Sequence, residues 1–367
     1  MWEQIFAEAD GYLNQIPTVG HDTFCISTRI PLPILVEEEK ALDYQKLKGK
    51  ACLKKRLNDC LAKAIAKKTG KPYEINGDIR FIFNFIRHKL TWEYLPIYIF
   101  GRYNKLSRGL AQSKWHCIKC AGKGCDYCKG KGRMYDSVEE IVAGYFSGIG
   151  KGTKLDFTKS HGLIQKKLVK PQMASRFHAS GREDVDARML GPGRPFALEI
   201  ENPLSLEFDL GEIEKKINQR EDLRANGLRK VSREFVELVD QSHFDKEYDV
   251  FVDCEGEVSA AMVKELNSIA DLEIAQQTPE RVLHRRADLV RRRVLRELKC
   301  TQLKPNLLKL HLVCEAGFYV KEFVYSDNGR TNPSLASLLE MKCTPRDLDV
   351  VKIRDGYLDF MLHINKI

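Results

Sequence analysis

The sequence lacks the long apolar segments of membrane proteins and secreted precursors. No unbroken apolar run is long enough to span a bilayer. Residues 1–16 lack the basic start and apolar middle of a signal peptide. Hydrophobic residues make up 43% of the chain and charged residues 30%, which is typical of a soluble globular protein. We therefore expect a cytoplasmic protein that makes no contact with a membrane.

The motifs of several common enzyme chemistries are also absent. The glycine run at 148–152 lacks the G-x4-GK[ST] spacing of a phosphate-binding loop, so it predicts a joint between domains. The sequence has no G-x-S-x-G elbow, and its nine histidines form no H-E-x-x-H pair. These absences argue against ATP or NAD chemistry, serine hydrolysis and a catalytic metal. We expect catalysis, if there is any, to need no nucleotide cofactor.

Basic residues are abundant and unevenly distributed. The 367 residues include 60 Lys and Arg against 51 Asp and Glu, a net charge of +9. The basic residues concentrate at 151–170, 281–296 and 342–354. Clusters of this kind favour a polyanionic partner, most plausibly nucleic acid. The length suggests about two domains, each large enough to bury its own core.

Four of the eleven cysteines lie close together, and the other seven are scattered singly. The scattered cysteines are expected to be reduced and mostly buried. The cluster repeats a C-x2-C-x-G-x-G pattern whose thiols are Cys117, Cys120, Cys125 and Cys128. Paired thiolates two residues apart are typical of a tetrahedral zinc site. An iron–sulfur site or a redox dithiol fits the spacing less well, and it stays open whether all four thiols bind one ion.

The first part of the chain predicts a small α/β domain. Helical spacing recurs from Trp2 to Leu13 and over 44–68, and another helix is expected at about 137–146 with Ser137 as its N-cap. Strands are expected at 24–30, 79–85 and 95–100. Basic residues near the strand ends favour an RNA-docking module or an ordinary solvated surface about equally.

The second part predicts an α+β domain built on a largely antiparallel sheet, because its strands and helices do not alternate strictly. Strands are expected at 197–201, 234–238, 248–253, 272–276, 307–313 and 319–325. Helices are expected at 211–220, 258–270 and 333–342, the last with Asn332 as cap and Pro333 at its first position.

The turn at Gly181-Arg182-Glu183-Asp184 is the strongest candidate for chemistry. It is followed by Asp186 and Arg188, so three acids lie between arginines. A carboxylate beside an arginine stays ionised, which suits a nucleophile better than a proton donor. A solvated turn with local ion pairs is the ordinary alternative. Strand alternation would put Tyr319 on one face with Lys321, and Tyr248 on one face with Lys246.

These segments resemble a known family, the archaeal and eukaryotic T-loop tRNA pseudouridine synthases with a THUMP-containing first domain. Gly181–Asp184 is similar to their G-R-x-D loop, Lys246-Glu247-Tyr248 to a K-x-Y motif, and Tyr319-Val320-Lys321 to a Y-[IV]-[KR] strand. The resemblance also covers 277–288, 329–333, 30–33, 100–103 and the cysteine cluster. Relatives often carry a second Cys pair near the N-terminus, where this chain has only Cys25.

The resemblance implies roles for individual residues. Asp184 would be the nucleophile that isomerises a glycosidic bond, with Asp186 as the rival within the turn. Lys321 would pair with Asp184, while Tyr248, Tyr319 and Arg182 would contact the flipped uridine. A phosphate-binding surface would be formed by Arg281, His284, Arg285, Arg286, Arg291, Arg292 and Arg293. The only metal expected is structural zinc.

The implied organisation is a THUMP-like RNA-binding domain at 1–150, including a zinc knuckle at 115–134, and a pseudouridine-synthase-like catalytic domain at 151–367. The expected substrate is uridine 54 of the tRNA T-loop, with uridine 55 as a second target, and the expected state is a monomer bound to tRNA. A non-catalytic zinc-containing RNA-binding protein is the main alternative. An RNA methyl- or thio-transferase is disfavoured because the glycine-rich cofactor loop is absent.

Overall fold

A computed structural model describes residues 2–364 apart from 19, 45–51, 147–154, 161–162, 169–174, 202, 204–205, 207 and 285. In chain order the helices are α1 (Trp2–Leu13), α2 (Leu32–Tyr44), α3 (Leu53–Thr69), α4 (Val138–Tyr145), α5 (Leu210–Ile217), α6 (Arg233–Gln241), α7 (Ala260–Leu266), α8 (Val320–Tyr325), α9 (Leu335–Leu338) and α10 (Gly356–Ile364). None of these helices is long and apolar enough to cross a membrane.

The strands, also in chain order, are β1 (Phe24–Arg29), β2 (Ile79–Asn84), β3 (Lys89–Tyr94), β4 (Ile97–Lys105), β5 (Leu155–Ser160), β6 (Leu163–Leu168), β7 (Ser175–Ala179), β8 (Arg188–Ile200), β9 (Leu223–Val231), β10 (Lys246–Cys254), β11 (Ala270–Gln277), β12 (Val290–Lys304), β13 (Leu307–Cys314), β14 (Thr331–Asn332) and β15 (Cys343–Ile353). Single turns of 3-10 helix occur at Asp126–Cys128 and Glu280–Val282.

The chain forms two compact units. The first comprises Met1–Ile97, Ser147–Arg176 and Glu199–Asp209, and the second comprises Tyr98–Phe146, Phe177–Leu198 and Leu210–Ile367. The sequence-based division at residue 150 differs, because it assigns 98–146 to the first domain. The predicted glycine joint at 148–152 lies outside the described residues.

The first unit packs helices on a three-stranded sheet of order β1-β2-β3, with β1 and β2 parallel. β2 alternates strictly, with Ile79, Phe81 and Phe83 buried. α3 buries Leu53, Leu57, Leu61 and Ile65 at the spacing of one helical face. These two faces join in one core, so the predicted α/β character is confirmed. The predicted helix at 44–68 is confirmed over 53–68 as α3, residues 45–51 lie outside the described residues, and α2 was not predicted.

The second unit contains a mixed sheet in which β14-β11-β12-β13-β10-β15-β8-β4-β9 are neighbours in that order and β7 pairs with β8. The pairing of β15 with β8 is parallel, whereas those of β10, β11, β12 and β13 with their neighbours are antiparallel. The α+β prediction is therefore confirmed. A core of Val, Leu, Ile and Phe side chains covers the central strands.

Two predicted strands are helices. Residues 234–238 lie in α6, where Ser232 caps the N-terminus and Phe235, Val236 and Val239 are buried. Residues 319–325 lie mostly in α8, whose buried Val320, Phe323 and Val324 are spaced as on one helical face. Both segments are so short that the spacing of their apolar residues fits a strand as well as a helix. Periodicity alone therefore gave the wrong assignment.

Other boundaries shifted. The helix expected at 333–342 is the shorter α9, and Ser334 rather than Asn332 is its N-cap. α4 begins after Ser137 as expected, because the Ser137 side chain accepts a hydrogen bond from the Glu140 amide. The scattered cysteines are buried except Cys52 and Cys60.

Candidate active site

A cleft of about 720 Å³ lies in the second unit. Its walls come from the loop between β7 and β8 (residues 180–187, the acidic loop), the start of β10, the turn at Glu280–Val282 and the start of α8. The lining includes the predicted residues Arg182, Asp184, Tyr248, Arg281, His284, Arg286, Tyr319 and Lys321. Segments far apart in sequence therefore meet at one cleft.

Asp184 lies between two cations. Its carboxylate is 3.2 Å from Arg281 Nη1 and 3.3 Å from Lys321 Nζ, and about a third of the side chain is exposed to the cleft. Burial raises the pKa of Asp184, but the charges of Arg281 and Lys321 outweigh burial and lower the pKa below the ordinary value. The carboxylate is therefore ionised at neutral pH and reachable from the cleft.

Arg281 is held from behind by a buried acid. Arg281 Nε donates to Glu322 Oε1 at 2.7 Å, and the Glu322 side chain has no exposed surface. Burial alone would lower the pKa of Arg281. The Glu322 and Asp184 carboxylates raise it by more than burial lowers it, so the net shift in pKa is upward. The guanidinium thus bridges Glu322 and Asp184. The sequence predicted an RNA-binding role for Arg281 and did not indicate Glu322.

Lys321 reaches the acidic loop from the first turn of α8. Its ammonium lies 3.3 Å from Asp184 Oδ2 and 2.7 Å from Asp186 Oδ1. The predicted pairing with Asp184 is therefore present, but Lys321 is shared with the rival acid. The supporting argument was wrong, since Tyr319 and Lys321 do not share a strand face.

A buried ionic network lies beneath the acidic loop. Glu183 and Arg194 are each 1% exposed at the side chain, and Arg194 Nε is 2.8 Å from Glu183 Oε2. The Tyr103 hydroxyl donates to Glu183 at 2.9 Å. Burial raises the pKa of Tyr103, and the negative charge of Glu183 raises it further. The residue between Arg182 and Asp184 is thus an anchor for the loop.

The same network holds the loop backbone. Lys105 Nζ donates to the carbonyls of Asp184 at 2.8 Å and Val185 at 3.2 Å. Gln112 Nε2 donates to the Gly181 carbonyl at 2.9 Å, and Arg194 Nη1 donates to the Ser180 carbonyl at 2.7 Å. Burial lowers the pKa of Lys105 to about 8. Donors on Lys105, Gln112 and Arg194 therefore hold the backbone path of residues 180–185.

Tyr248 lines the cleft from β10. Lys246 is buried beside it and donates from Nζ to the Phe244 carbonyl at 2.7 Å. Burial raises the pKa of Tyr248, so its hydroxyl stays protonated, and burial lowers the pKa of Lys246 to about 8. Tyr248 packs against the main core, is partly exposed and lines the cleft, which suits a platform for a flat ligand.

Tyr319 is fixed at both ends. The fully buried Gln276 side chain exchanges two hydrogen bonds with the Tyr319 backbone, at 2.8 and 2.9 Å. Arg286 Nη1 donates to the Tyr319 hydroxyl at 2.9 Å. Tyr319 is the N-cap of α8, and the clamp by Gln276 was not predicted.

The residues of the predicted arginine surface differ in their contacts and exposure. Arg291 donates to Thr278 Oγ1 at 2.9 Å, Arg292 pairs with Glu273, and Arg293 lies 3.9 Å from Glu315. His284 and Arg286 are exposed at the cleft. Arg285 lies outside the described residues. Much of the arginine run thus contributes to internal pairing as well as to surface charge.

The four clustered cysteines converge. Their Sγ atoms all lie within 4.8 Å of one another, with Cys117–Cys125 at 3.9 Å and both Cys120–Cys128 and Cys125–Cys128 at 3.8 Å. Four thiolates at about 2.3 Å from a tetrahedral ion would lie about 3.8 Å apart, so the residues fit one metal ion. The Gly124 and Gly132 amides donate to Cys120 and Cys128 sulfurs, and both glycines have positive φ.

Comparison with known proteins gives the family. The family model described as Pus10, C-terminal, matches residues 98–354. The chain belongs to the Pus10 family. The tRNA pseudouridine synthase Pus10 of Archaeoglobus fulgidus is 37% identical over 347 residues, covering 94% of this chain and 90% of that protein. The tRNA pseudouridine synthase Pus10 of Methanocaldococcus jannaschii is 35% identical, covering 92% of this chain and 70% of that protein.

Solved structures are more remote from this Pus10 chain. A chain from a structure titled Crystal Structure of a Cbf5-Nop10-Gar1 Complex matches with a TM-score of 0.35 and 13% identity, covering 72% of this chain and 56% of that one. The Pus10 match begins at residue 98, as does the second compact unit, so both place the four-cysteine cluster in the same part of the chain as the acidic loop.

Proposed function

We propose that the protein is a tRNA pseudouridine synthase that converts uridine 54 of the T-loop to pseudouridine, with uridine 55 as the second target to be tested, and that Asp184 is its nucleophile. The observation that carries the proposal is the ionised Asp184 carboxylate, held by Arg281 and Lys321 at 3.2 and 3.3 Å in a cleft walled by tyrosines. Membership of the Pus10 family and the names of the relatives support the substrate class.

The reaction needs a nucleophile and no external oxidant or reductant. The N1–C1′ bond of uridine breaks, the uracil turns, and a C5–C1′ bond forms. C5 then loses its proton to solvent and N1 carries a proton in the product, so the reaction is an isomerisation. Asp184 attacks either the ribose or the uracil ring and is released at the end. Its lowered pKa keeps it in the reactive, ionised form.

The surrounding residues would bind and orient the extruded uridine. Tyr248 and Tyr319 would stack against or contact the base, and the exposed Arg182 would bind substrate at the mouth of the cleft. Flipping a nucleotide costs a few kcal/mol, which stacking and base-edge hydrogen bonds offset. Lys321 and Arg281 would keep Asp184 oriented throughout.

The remaining surfaces would hold the rest of the tRNA. We propose that His284, Arg285, Arg286 and Arg291–Arg293 contact phosphates, and that the first unit is the THUMP-like RNA-docking module. The latter proposal is supported by a small pocket of about 180 Å³ on its sheet, lined by Arg29, Asn84, Arg87 and Lys89. The four thiols would hold structural zinc, which mass-spectrometric metal analysis at one ion per chain would support. The protein would work as a cytoplasmic monomer.

Asp184→Asn provides the direct test. With a tRNA transcript tritiated at C5 of uridine, wild type should release tritium and Asp184→Asn should not, while both bind tRNA with similar affinity. Asp186→Asn is the matched control, because Asp186 also pairs with Lys321 and should retain most activity. Equal release by wild type and Asp184→Asn would refute the nucleophile assignment.

The position of the product needs its own measurement. Chemical labelling of pseudouridine followed by primer extension would distinguish residue 54 from residue 55. Binding without any release by wild type would favour the alternative, a non-catalytic zinc-containing RNA-binding protein.

A further inference from the structure

The metal-site hairpin extends into the catalytic cleft. Trp115 precedes the first metal ligand, Cys117, by two residues, and it is among the residues that line the cleft with Asp184. Its side chain is 39% exposed. Trp115 therefore presents a partly open aromatic ring at the wall of the cleft.

The position of Trp115 is determined from both sides. The Met134 amide donates to the Trp115 carbonyl at 2.9 Å, and the Cys117 amide donates to the Gly132 carbonyl at 2.9 Å, so two chains of the hairpin run side by side. Three residues before Trp115, Gln112 donates to the Gly181 carbonyl of the acidic loop. The segment that leads into the hairpin is thereby hydrogen-bonded to the acidic loop, and the hairpin itself carries the four thiols.

The ring of Trp115 packs near that of Tyr135 and is partly exposed. The Trp115 and Tyr135 ring centroids are 5.4 Å apart, and Tyr135 is itself 37% exposed. A partly exposed aromatic ring, here with a second ring packed at an interplanar angle of 54°, is a suitable platform for a nucleobase, since every base has a π-face.

The outer surface of the hairpin carries positive charge. Between Cys117 and Arg133 the sequence has one acid, Asp126, against four lysines and an arginine. The lysines, all exposed, are Lys119, Lys123, Lys129 and Lys131. Lys119 Nζ lies 4.4 Å from the centre of the exposed Tyr127 ring. Interleaved lysines and aromatic rings are typical of single-stranded RNA binding.

We propose that the hairpin of residues 114–135 binds the RNA next to the target uridine, with Trp115 stacking on an unpaired neighbouring base and the four lysines contacting the phosphates that follow. A metal ion bound by the four thiols would then also help to position a substrate-binding residue at the cleft. This inference rests on the proposed function for the identity of the RNA, but the binding role of Trp115 can be measured without turnover.

The test compares Trp115→Ala with Trp115→Phe in the full-length protein. Loss of one stacked base should raise the KM for tRNA about 5-fold to 100-fold in Trp115→Ala, whereas Trp115→Phe keeps a stacking ring and should stay close to wild type. Tyr357→Ala is the matched control and should keep the wild-type KM, because Tyr357 is a 52% exposed aromatic residue on α10 that does not line the cleft. Bound metal per chain should be the same in all variants.

A second measurement does not depend on catalysis. In a Trp2→Phe, Trp92→Phe protein, Trp115 is the sole tryptophan, and T-loop tRNA should quench its fluorescence with Asp184→Asn present or absent. Unchanged KM in Trp115→Ala, or no quenching at saturating tRNA, would overturn the stacking role. Quenching without tritium release would keep it and reject the proposed reaction instead.

Discussion

At the scale of single residues, the ionisation of Asp184 depends on two cations working against burial. Burial alone would raise its pKa, and Arg281 and Lys321 bring it below the ordinary carboxyl value. A nucleophilic carboxylate is active only when ionised, so activity should be retained as pH falls until the lowered pKa is reached. Removing either cation raises that pKa and should move the loss of activity to higher pH.

Lys321→Met tests the direction of this pKa shift. The acid limb of kcat/KM against pH should move upward by roughly one unit or more, the usual effect of an opposite charge in contact. Lys321→Arg keeps the charge and should restore most of the wild-type profile. An acid limb that stays in place in Lys321→Met would mean that Lys321 does not control the reacting carboxylate.

Glu322 acts one step further from the reaction, through Arg281. Glu322→Gln keeps the shape but removes the charge that fixes the guanidinium at 2.7 Å. Misplacement of a catalytic contact by about 1 Å can cost about 100-fold, so kcat should fall by about 10-fold to 100-fold with little change in KM. Tyr325→Phe is the control, since it removes a hydroxyl 3.4 Å from the same carboxylate and leaves Arg281 held. A rise in KM with normal kcat would instead indicate that Glu322 acts in tRNA binding.

At the scale of elements, the acidic loop depends on strands β4 and β8. β4 supplies Tyr103 and Lys105, and β8 supplies Arg194, so Glu183 is paired within a buried network rather than in a solvated turn. Breaking one partner of a buried pair leaves an uncompensated charge, which is far more costly than losing an exposed pair.

Glu183→Gln should therefore lower the free energy of unfolding by about 3–5 kcal/mol. Glu237→Gln breaks an exposed pair with Arg233 and should cost less than about 1 kcal/mol. Urea unfolding followed by near-ultraviolet circular dichroism measures both. Similar costs for the two variants would contradict a structural role for the buried network.

Prediction of elements succeeded where one repeat dominates. α3 is long enough, and β2 regular enough, for the apolar residues of one face to be recognised from their spacing in the sequence. It failed at α6 and α8, where six to nine residues fit either repeat and only packing decides. The roles of Glu183 and Arg194 could not be predicted, because the two residues are not adjacent in sequence. The identity of a charged residue also does not show whether its side chain is buried.

At the scale of the whole molecule, we expect the first unit to bind tRNA without taking part in the chemistry. In the first unit, Arg29, Arg87 and Lys89 surround a pocket on the β1-β2-β3 sheet. Within the described residues, none of these three forms an ion pair with an acid closer than 4 Å. Cations without such a pair among the described residues are available for phosphates.

Replacing both Arg87 and Lys89 by Ala should weaken tRNA binding and reduce the slope of log affinity against log salt by about one to two, since each phosphate contact releases a counterion. The kcat at saturating tRNA should be retained. Lys54→Ala with Lys55→Ala removes the same charge from exposed positions on α3 and should leave the slope closer to wild type. Equal slopes for all three proteins would place the RNA elsewhere.

The sequence by itself determined the chemistry that depends on residue type and short spacing. Four cysteines in two C-x2-C pairs can meet around one ion because the loop between them is short, and the G-R-x-D register, by its resemblance to a known motif, singles out Asp184 among three acids. The tertiary structure alone decided which charges meet. Arg281 and Glu322 are 41 residues apart, and Tyr103 and Glu183 are 80 apart. Contacts between residues so far apart in sequence depend on how the strands and helices are arranged in space, which no local sequence pattern encodes.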